Sequence, residues 1–494
     1  MCPSGTLGRE AGWLKYSLVA ASSAVLFVVK KNKWVTMSKK AKKSGLKVAK
    51  FGGTSLANAE QLLKVCNIVK ADPTRRIIVL SAPGKRTKDD VKVTDMLIKC
   101  AEQKLAGKSV EKDLRAIVDR FAGIQKDAGV PGDIIQEIEK DLRQRLDSDK
   151  SNPARFMDLL KAAGEDNNAK LGAAVFKKHG LDAYYVSPKD AGLLLTDEHG
   201  NALVLDESYK NLNKALVGHK GVVVFPGFFG YTKDGEVVTF PRGGSDITGA
   251  VLAAAVKADS YENFTDVDSV FAADPRIVEG AQSISLLTYR EMRELSYAGF
   301  GVFHDEAIVP AVHAKIPINV KNTNRPEAPG TMIVPDRTYT AGDVVGVASS
   351  EGFCAVYVDK YLMNREVGFG RRLLQIMEDE KLSYEHAPSG IDNMSVVLRE
   401  KDFTPETEAK VVKRIYDEMK ADNIDIDRGL ALVMIVGEGM HYTVGMASRA
   451  TSALSNAGVN IEMLNQGSSE ISMMFGVKAV DRKKAVKALY DAFF

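Results

Sequence analysis

The stretch Leu46–Ser55, LKVAKFGGTS, runs from a short apolar segment carrying Lys50 and Phe51 into Gly52, Gly53, Thr54 and Ser55. Amphipathic sequence follows from Leu56, so the stretch predicts a strand, a glycine turn and then a helix. A Walker A loop, G-x-x-x-x-G-K-[ST], carries its lysine after the glycines, whereas Lys50 precedes them at the strand end, so this is not a P-loop. The chemistry still suits an anion. Gly52 and Gly53 let the backbone come close, Thr54 and Ser55 bring hydroxyls to a helix N-terminus, and Lys50 aims a charge at the same place. Taken alone, the turn fits a purely structural connection as well.

Outward from this turn, strand-like runs recur at RIIVLSA (Arg76–Ala82), DAYYVS (Asp182–Ser187), GVVVFPGFFG (Gly221–Gly230) and PINVKNT (Pro317–Thr323). Helical stretches such as AVLAAAVKA (Ala250–Ala258) separate them. Near-continuous apolar strands suit a mostly parallel sheet buried on both faces, hence a three-layer α/β domain over about 46–335. The polar, turn-rich PDRTYTAGD (Pro335–Asp343) reads as a linker. At 494 residues the chain exceeds one hydrophobic core, and 67 basic against 64 acidic side chains give no basic face for nucleic acid. Cys2, Cys66, Cys100 and Cys354 form no C-x-x-C pair and have no histidine at zinc-ligand spacing, so they read as reduced cytoplasmic thiols and no protein-held metal is expected. The apolar run Ser17–Val29 is too short to span a bilayer. It reads as a targeting segment, an appended helix, or sequence upstream of the true start. The third is favoured, with Met37 as initiator and 1–45 an extension that is disordered or not native.

Beyond the linker the chain repeats itself. Placing Val367 over Val444, an offset of 444 − 367 = 77, aligns VGFGRRLLQIMEDEKLSYEHAPSGIDNMSVVL on VGMASRATSALSNAGVNIEMLNQGSSEISMMF without a gap. Gly368/Gly445, Arg372/Arg449, Glu385/Glu462, Gly390/Gly467 and Ser395/Ser472 are identities. Each copy reads strand, helix, strand, turn, strand, helix, a ferredoxin-like order, and the glycine before each helix leaves amides for a ligand carboxylate. Pairing of two such modules through their sheets is the structural alternative.

Two further clusters carry chemistry. In FPRGGSDITGA (Phe240–Ala250), Arg242 offers a planar fork for a carboxylate, while Ser245 and Asp246 stand at a helix start, where either also serves as an N-cap. In FTDVDSVFAADPRIV (Phe264–Val278), Thr265, Asp266 and Asp268 follow a strand and Asp274-Pro275-Arg276 makes a charged turn.

KFGGTS, RGGSD and TDVDSVFAADPR, in this order and followed by the repeat, resemble the aspartate kinases of the amino-acid kinase superfamily, whose tandem C-terminal ACT domains have the βαββαβ order. The resemblance runs from about Leu46 to the C-terminus, with ACT modules expected at 344–425 and 426–494. It implies transfer of the ATP γ-phosphate to the β-carboxylate of L-aspartate, the first step of lysine, threonine and methionine biosynthesis, with Mg²⁺ bridging the phosphates. Lys50, Asp246 and Arg242 match catalytic positions. Ser81, Thr87, Glu165, Phe228, Arg242 and Ser245 match substrate contacts, Arg242 on the α-carboxylate and Glu165 on the ammonium. Lys50, Phe51, Gly52, Gly53, Ser55, Thr265, Asp266, Phe271, Asp274 and Arg276 match the ATP site, with Phe271 standing where relatives usually have tyrosine.

MNREVGFG (Met363–Gly370) and PSGIDNMS (Pro388–Ser395) resemble lysine-sensitive members. Met363, Gly368, Phe369, Ser389 and Asp392 are therefore expected to bind a feedback amino acid, lysine and/or threonine, in a homo-oligomer, dimer or tetramer, joined through ACT domains, with no nucleic acid and no membrane. Two stretches depart from the family pattern: GVFHDEAIVP (Gly301–Pro310) lacks the nucleotide-side lysine, and SAPGKRT (Ser81–Thr87) replaces the commoner SAMGG. An acetylglutamate-kinase-like enzyme and a noncatalytic amino-acid sensor are the alternatives.

Overall fold

The computed structural model describes residues 45–301, 307–467 and 469–494. Residues 1–44 of the N-terminal extension, and 302–306 of the segment where the nucleotide-side lysine is missing, lie outside these residues. Eight strands form the first sheet: β1 (Lys47–Phe51), β2 (Arg75–Leu80), β3 (Ala183–Tyr185), β4 (Val222–Pro226), β5 (Ser260–Thr265), β6 (Leu286–Thr288), β7 (Ile318–Asn322) and β8 (Thr331–Val334). Their order is β6-β8-β7-β5-β1-β2-β4-β3, and every neighbouring pair is parallel except β7 with β8.

Alternation along the strands divides the core into two layers. Val48, Ile77, Val79 and Phe225 pack with the helix Gly244–Val256 on one face. Ala49, Phe51, Ile78 and Leu80 pack with the helices Ala59–Ala71, Val93–Leu105, Glu111–Asp127 and Pro153–Lys178 on the other. Lys50 therefore falls on the same face as Val48. The carboxyl ends of β1, β2, β4 and β5 open side by side, where parallel α/β sheets bind ligands.

The turn after β1 departs from the sequence reading. Gly53–Leu56 is a single 3₁₀ turn, and the α-helix begins only at Ala59. Asn58 caps it by accepting the Gln61 amide, so Thr54 and Ser55 are not at an α-helix N-terminus.

The repeats share one antiparallel sheet: β9 (Gly346–Asp359), β10 (Tyr384–His386), β11 (Asn393–Arg399), β12 (Asn423–Val436), β13 (Met463–Asn465) and β14 (Ser472–Lys478), ordered β10-β11-β9-β12-β14-β13. The long β9 divides its work. Phe353–Asp359 pairs with β11 of the first repeat, while Gly346–Ser350 lies opposite Leu432–Val436. Val347 packs among Ala431, Val433, Ile435 and Phe475, so the second repeat takes its fourth strand from chain that precedes the first. Gly368 and Gly445, aligned by the repeat, both cap helices with left-handed φ of 81° and 94°.

The helix Tyr289–Tyr297 joins the two sheets. Met292 and Leu295 share a cluster with β7 on one side and with Phe353, Val397, Leu432 and Met474 on the other. The segment read as a linker has no helix or strand, yet Arg337 within it reaches Glu291 at 2.6 Å. No helix among the described residues is long and apolar enough to cross a membrane.

Candidate active site

Lys50 is 7% exposed, and its ammonium lies 2.6 Å from Asp246 Oδ1. Asp246 sits in the first turn of the helix Gly244–Val256, where the helix dipole favours its charge. The cap of that helix is Gly243, in the left-handed region, and not Ser245 or Asp246. Asn263, beside Lys50 in the β1/β5 register, donates its amide to Asp246 Oδ1 at 2.5 Å and lies 3.5 Å from Lys50 through Oδ1. Sequence reading missed Asn263; its signal was an amide between two aromatic residues, Tyr261 and Phe264, on a strand that ends at Thr265.

The glycine turn is built against the loop after β2. Gly84 donates its amide to Gly53 O at 2.8 Å, and a Cβ on Gly84 would fall 2.5 Å from the Gly53 carbonyl carbon. Arg120, also missed, is 7% exposed and holds that loop through Gly84 O, Val91 O and Asp90. Arg86 is turned to Asp90 as well, so it is a surface partner of the loop. Several expected phosphate ligands have other engagements. The Gly52 amide donates to Phe264 O, Ser55 Oγ shares a 2.6 Å hydrogen bond with Thr323, and Phe51 is a core residue stacked on Phe264. Lys50, paired with Asp246, stays at the carboxyl edge of the sheet.

Glu165 is not a solvated surface charge. It is buried on the helix Pro153–Lys178, Oε2 has no hydrogen-bond partner among the described residues, and burial pushes its carboxyl up to about 8 against a partial counter-effect from the Ala82 amide. Asn168, three residues on, donates to Ser81 O at 2.6 Å and fixes this helix to the end of β2. Phe228 has φ of 76°, held there because its amide donates to Thr248 Oγ1 and its carbonyl accepts from Phe240. Its ring thus lies against Gly244, beside buried Ser245. Arg242 and Thr87 are exposed, and the Arg242 guanidinium has no partner among the described residues.

Thr265, Asp266, Phe271, Asp274 and Arg276 line one cavity of about 280 Å³. Ser269, Gly299, Phe300 and Gly301 also line it, and the buried Ser269 hydroxyl has no partner among the described residues. Asp274 and Arg276 are paired at 2.7 Å across the proline turn, which holds the Asp274 carboxyl below its usual range.

Known proteins match this arrangement. Residues 45–322 match the model of the amino acid kinase family, and residues 433–493 match an ACT domain. Aspartokinase 3 of Bacillus subtilis is 56% identical over 449 residues, covering 91% of this chain and 99% of that protein. The chain belongs to the aspartokinases. The Clostridium acetobutylicum aspartate kinase structure superposes with a TM-score of 0.78 at 37% identity, over 91% of this chain and 99% of that one. The E. coli aspartokinase III structure in complex with aspartate and ADP shares the fold, with a TM-score of 0.75 at 23% identity, over 91% of this chain and all of that one. This aspartokinase is thus an ATP-dependent kinase acting on aspartate.

The residues expected to bind an effector in the aspartokinase fall on two touching loops. Asp392 Oδ1 accepts the Leu362 amide at 2.8 Å, and Asn364 donates to Ile391 O. Met363 is buried in the hydrophobic cluster of the first repeat, and Ser389 bridges to Met394. The Phe369 amide, expected to receive a carboxylate, donates to Glu366 O.

Proposed function

We propose that phosphoryl transfer takes place around Lys50, in the crevice bounded by the Glu165 pocket and the cavity at Thr265–Arg276. The carrying observation is the buried Lys50–Asp246 pair at the end of β1. A carboxylate has a reference pKa of about 4, so the substrate needs no general base. Catalysis then rests on positioning and charge.

In this reading Glu165 takes the aspartate ammonium, which supplies its missing partner, and the free fork of Arg242 grips the α-carboxylate. Phe228 and Ser245 border the bound substrate, with Ser81 and Thr87 on the facing loop. The cavity of Thr265, Asp266, Phe271, Asp274 and Arg276 takes the nucleotide. Lys50 leaves Asp246 for the transferring phosphoryl oxygens, with the Gly53 amide beside it.

The donor set fits Mg²⁺ that arrives on the nucleotide. Lys50 and Asn263 both engage Asp246 Oδ1, and among the described residues Oδ2 has no hydrogen-bond partner, which leaves it to face the ion. When bound there, Mg²⁺ offsets charge on the phosphates. The product is 4-phospho-L-aspartate.

Regulation by lysine and/or threonine at the Met363 and Asp392 loops, in an oligomer joined through ACT domains, completes the reading. Its support is the residue match of these loops to lysine-sensitive members. E. coli aspartokinase III, a 23% identical protein, has been crystallised with lysine and aspartate.

An ADP-release assay with L-aspartate, L-glutamate and N-acetylglutamate, run with and without Mg²⁺, lysine and threonine, tests all of this. Turnover is expected with L-aspartate, lost without Mg²⁺ and reduced by lysine. Equal turnover with N-acetylglutamate, or insensitivity to both amino acids, defeats the corresponding part.

A further inference from the structure

Asn263 is 3% exposed and is oriented by three neighbours. Its Oδ1 faces the Lys50 ammonium at 3.5 Å, and its Nδ2 faces both Asp246 Oδ1 at 2.5 Å and the Tyr261 hydroxyl at 3.3 Å. Tyr261 in turn donates to the Asp246 main-chain carbonyl at 3.3 Å. Only this orientation of the amide turns an acceptor to the cation and donors to the anion. A carboxylate in place of the amide would repel Asp246, and an apolar side chain would leave Asp246 to Lys50 alone.

This matters once Lys50 is drawn to a phosphoryl group, because Asp246 then loses its cation. We propose that Asn263 is a positioning residue for phosphoryl transfer: it holds the Asp246 carboxylate at the helix start while Lys50 exchanges Asp246 for the transferring group. The inference rests on the Lys50 reading above and extends it to a side chain that touches no substrate.

The test compares Asn263→Leu, Asn263→Asp and Lys50→Ala with the unaltered chain in the aspartate-dependent assay. Each protein is also followed by thermal unfolding. For Asn263→Leu, kcat is expected to fall about ten- to a hundredfold, the loss of one hydrogen bond to a charged group, with KM for both substrates within about twofold. Its unfolding midpoint is expected to stay close to that of the unaltered chain.

In Asn263→Asp an acidic oxygen replaces the amide donor beside Asp246, so its kcat is expected to fall at least as far as that of Asn263→Leu.

Three outcomes overturn the proposal. They are a Leu variant with kcat within twofold of the unaltered chain, a Leu variant whose loss of kcat is matched by a large loss of thermal stability, and an Asp variant as active as the unaltered chain. Full activity in Lys50→Ala would instead remove the underlying Lys50 reading, a result distinct from any of these.

Discussion

Lys50 on β1 and Asp246 on the helix Gly244–Val256 form an ion pair 2.6 Å long at the carboxyl edge of the parallel sheet. Both side chains are largely shielded from water, at 9% and 18% exposure, so the pair is a poised charge and not a surface salt bridge. Replacing Lys50 with alanine removes up to two charge-assisted hydrogen bonds in the transition state. Turnover is expected to fall about 10²- to 10⁴-fold while the fold persists, as read by steady-state kinetics and circular dichroism. Near-normal turnover removes Lys50 from the site.

Glu165 predicts a pH dependence with a definite sign. Burial raises its carboxyl from 4.5 to about 8, so between these values the folded protein holds a proton that the unfolded chain has released. Ligand-free protein should therefore lose stability as pH rises from about 4.5 to about 8 through this group. Glu165→Gln should flatten that slope in urea titrations at several pH values. Aspartate brings an ammonium and favours the ionised form, so its binding at pH 7 should release protons, visible by calorimetry in buffers of different ionisation enthalpy. Zero proton release at pH 7 contradicts both the burial effect and the assigned partner.

Gly84→Ala drives a methyl group into the Gly53 backbone, against which nothing flexible can yield. The two loops must separate, which moves the Gly53 amide away from the crevice. Activity is expected to drop at least about tenfold, more than Gly123→Ala, where the added Cβ meets open space. Comparable kinetics for the two variants would show that the loop contact is dispensable.

Arg337 binds Glu291, which is fully buried and also receives the Glu438 and Thr288 amides. Removing one partner of such a pair costs about 3–5 kcal/mol because the other charge stays buried. Arg337→Ala is expected to lower the unfolding free energy obtained from urea titration by that amount, and the midpoint with it, or to uncouple unfolding of the two sheets into separate transitions. An unchanged midpoint would mean that water or another cation replaces Arg337.

The strands, the two-layer core and the repeat were legible because their signals are local. An apolar run and a glycine before each helix are read within a few residues, and the repeat by laying one stretch of chain on another without reference to the fold. Lys50, Asp246 and the cavity-lining set from Thr265 to Arg276 were legible as residue types in a known order.

Side-chain partners were not legible in the same way. Ser55 and Phe51 stand within the motif, yet register and layer turn the hydroxyl to Thr323 and the ring to Phe264. Arg120 stood on a helix face that looks apolar, and only folding brings it the carbonyls of the loop after β2.

The sequence by itself determined which chemistry this chain carries and the order of its modules, because hydrophobic period and motif spacing act over short distances. Tertiary structure alone decided that Asn263 touches Asp246, that Glu165 is buried with no counter-charge among the described residues, and that β9 serves both repeats. These depend on strand register and on contacts between residues far apart in the chain, which exist only once the sheets are closed.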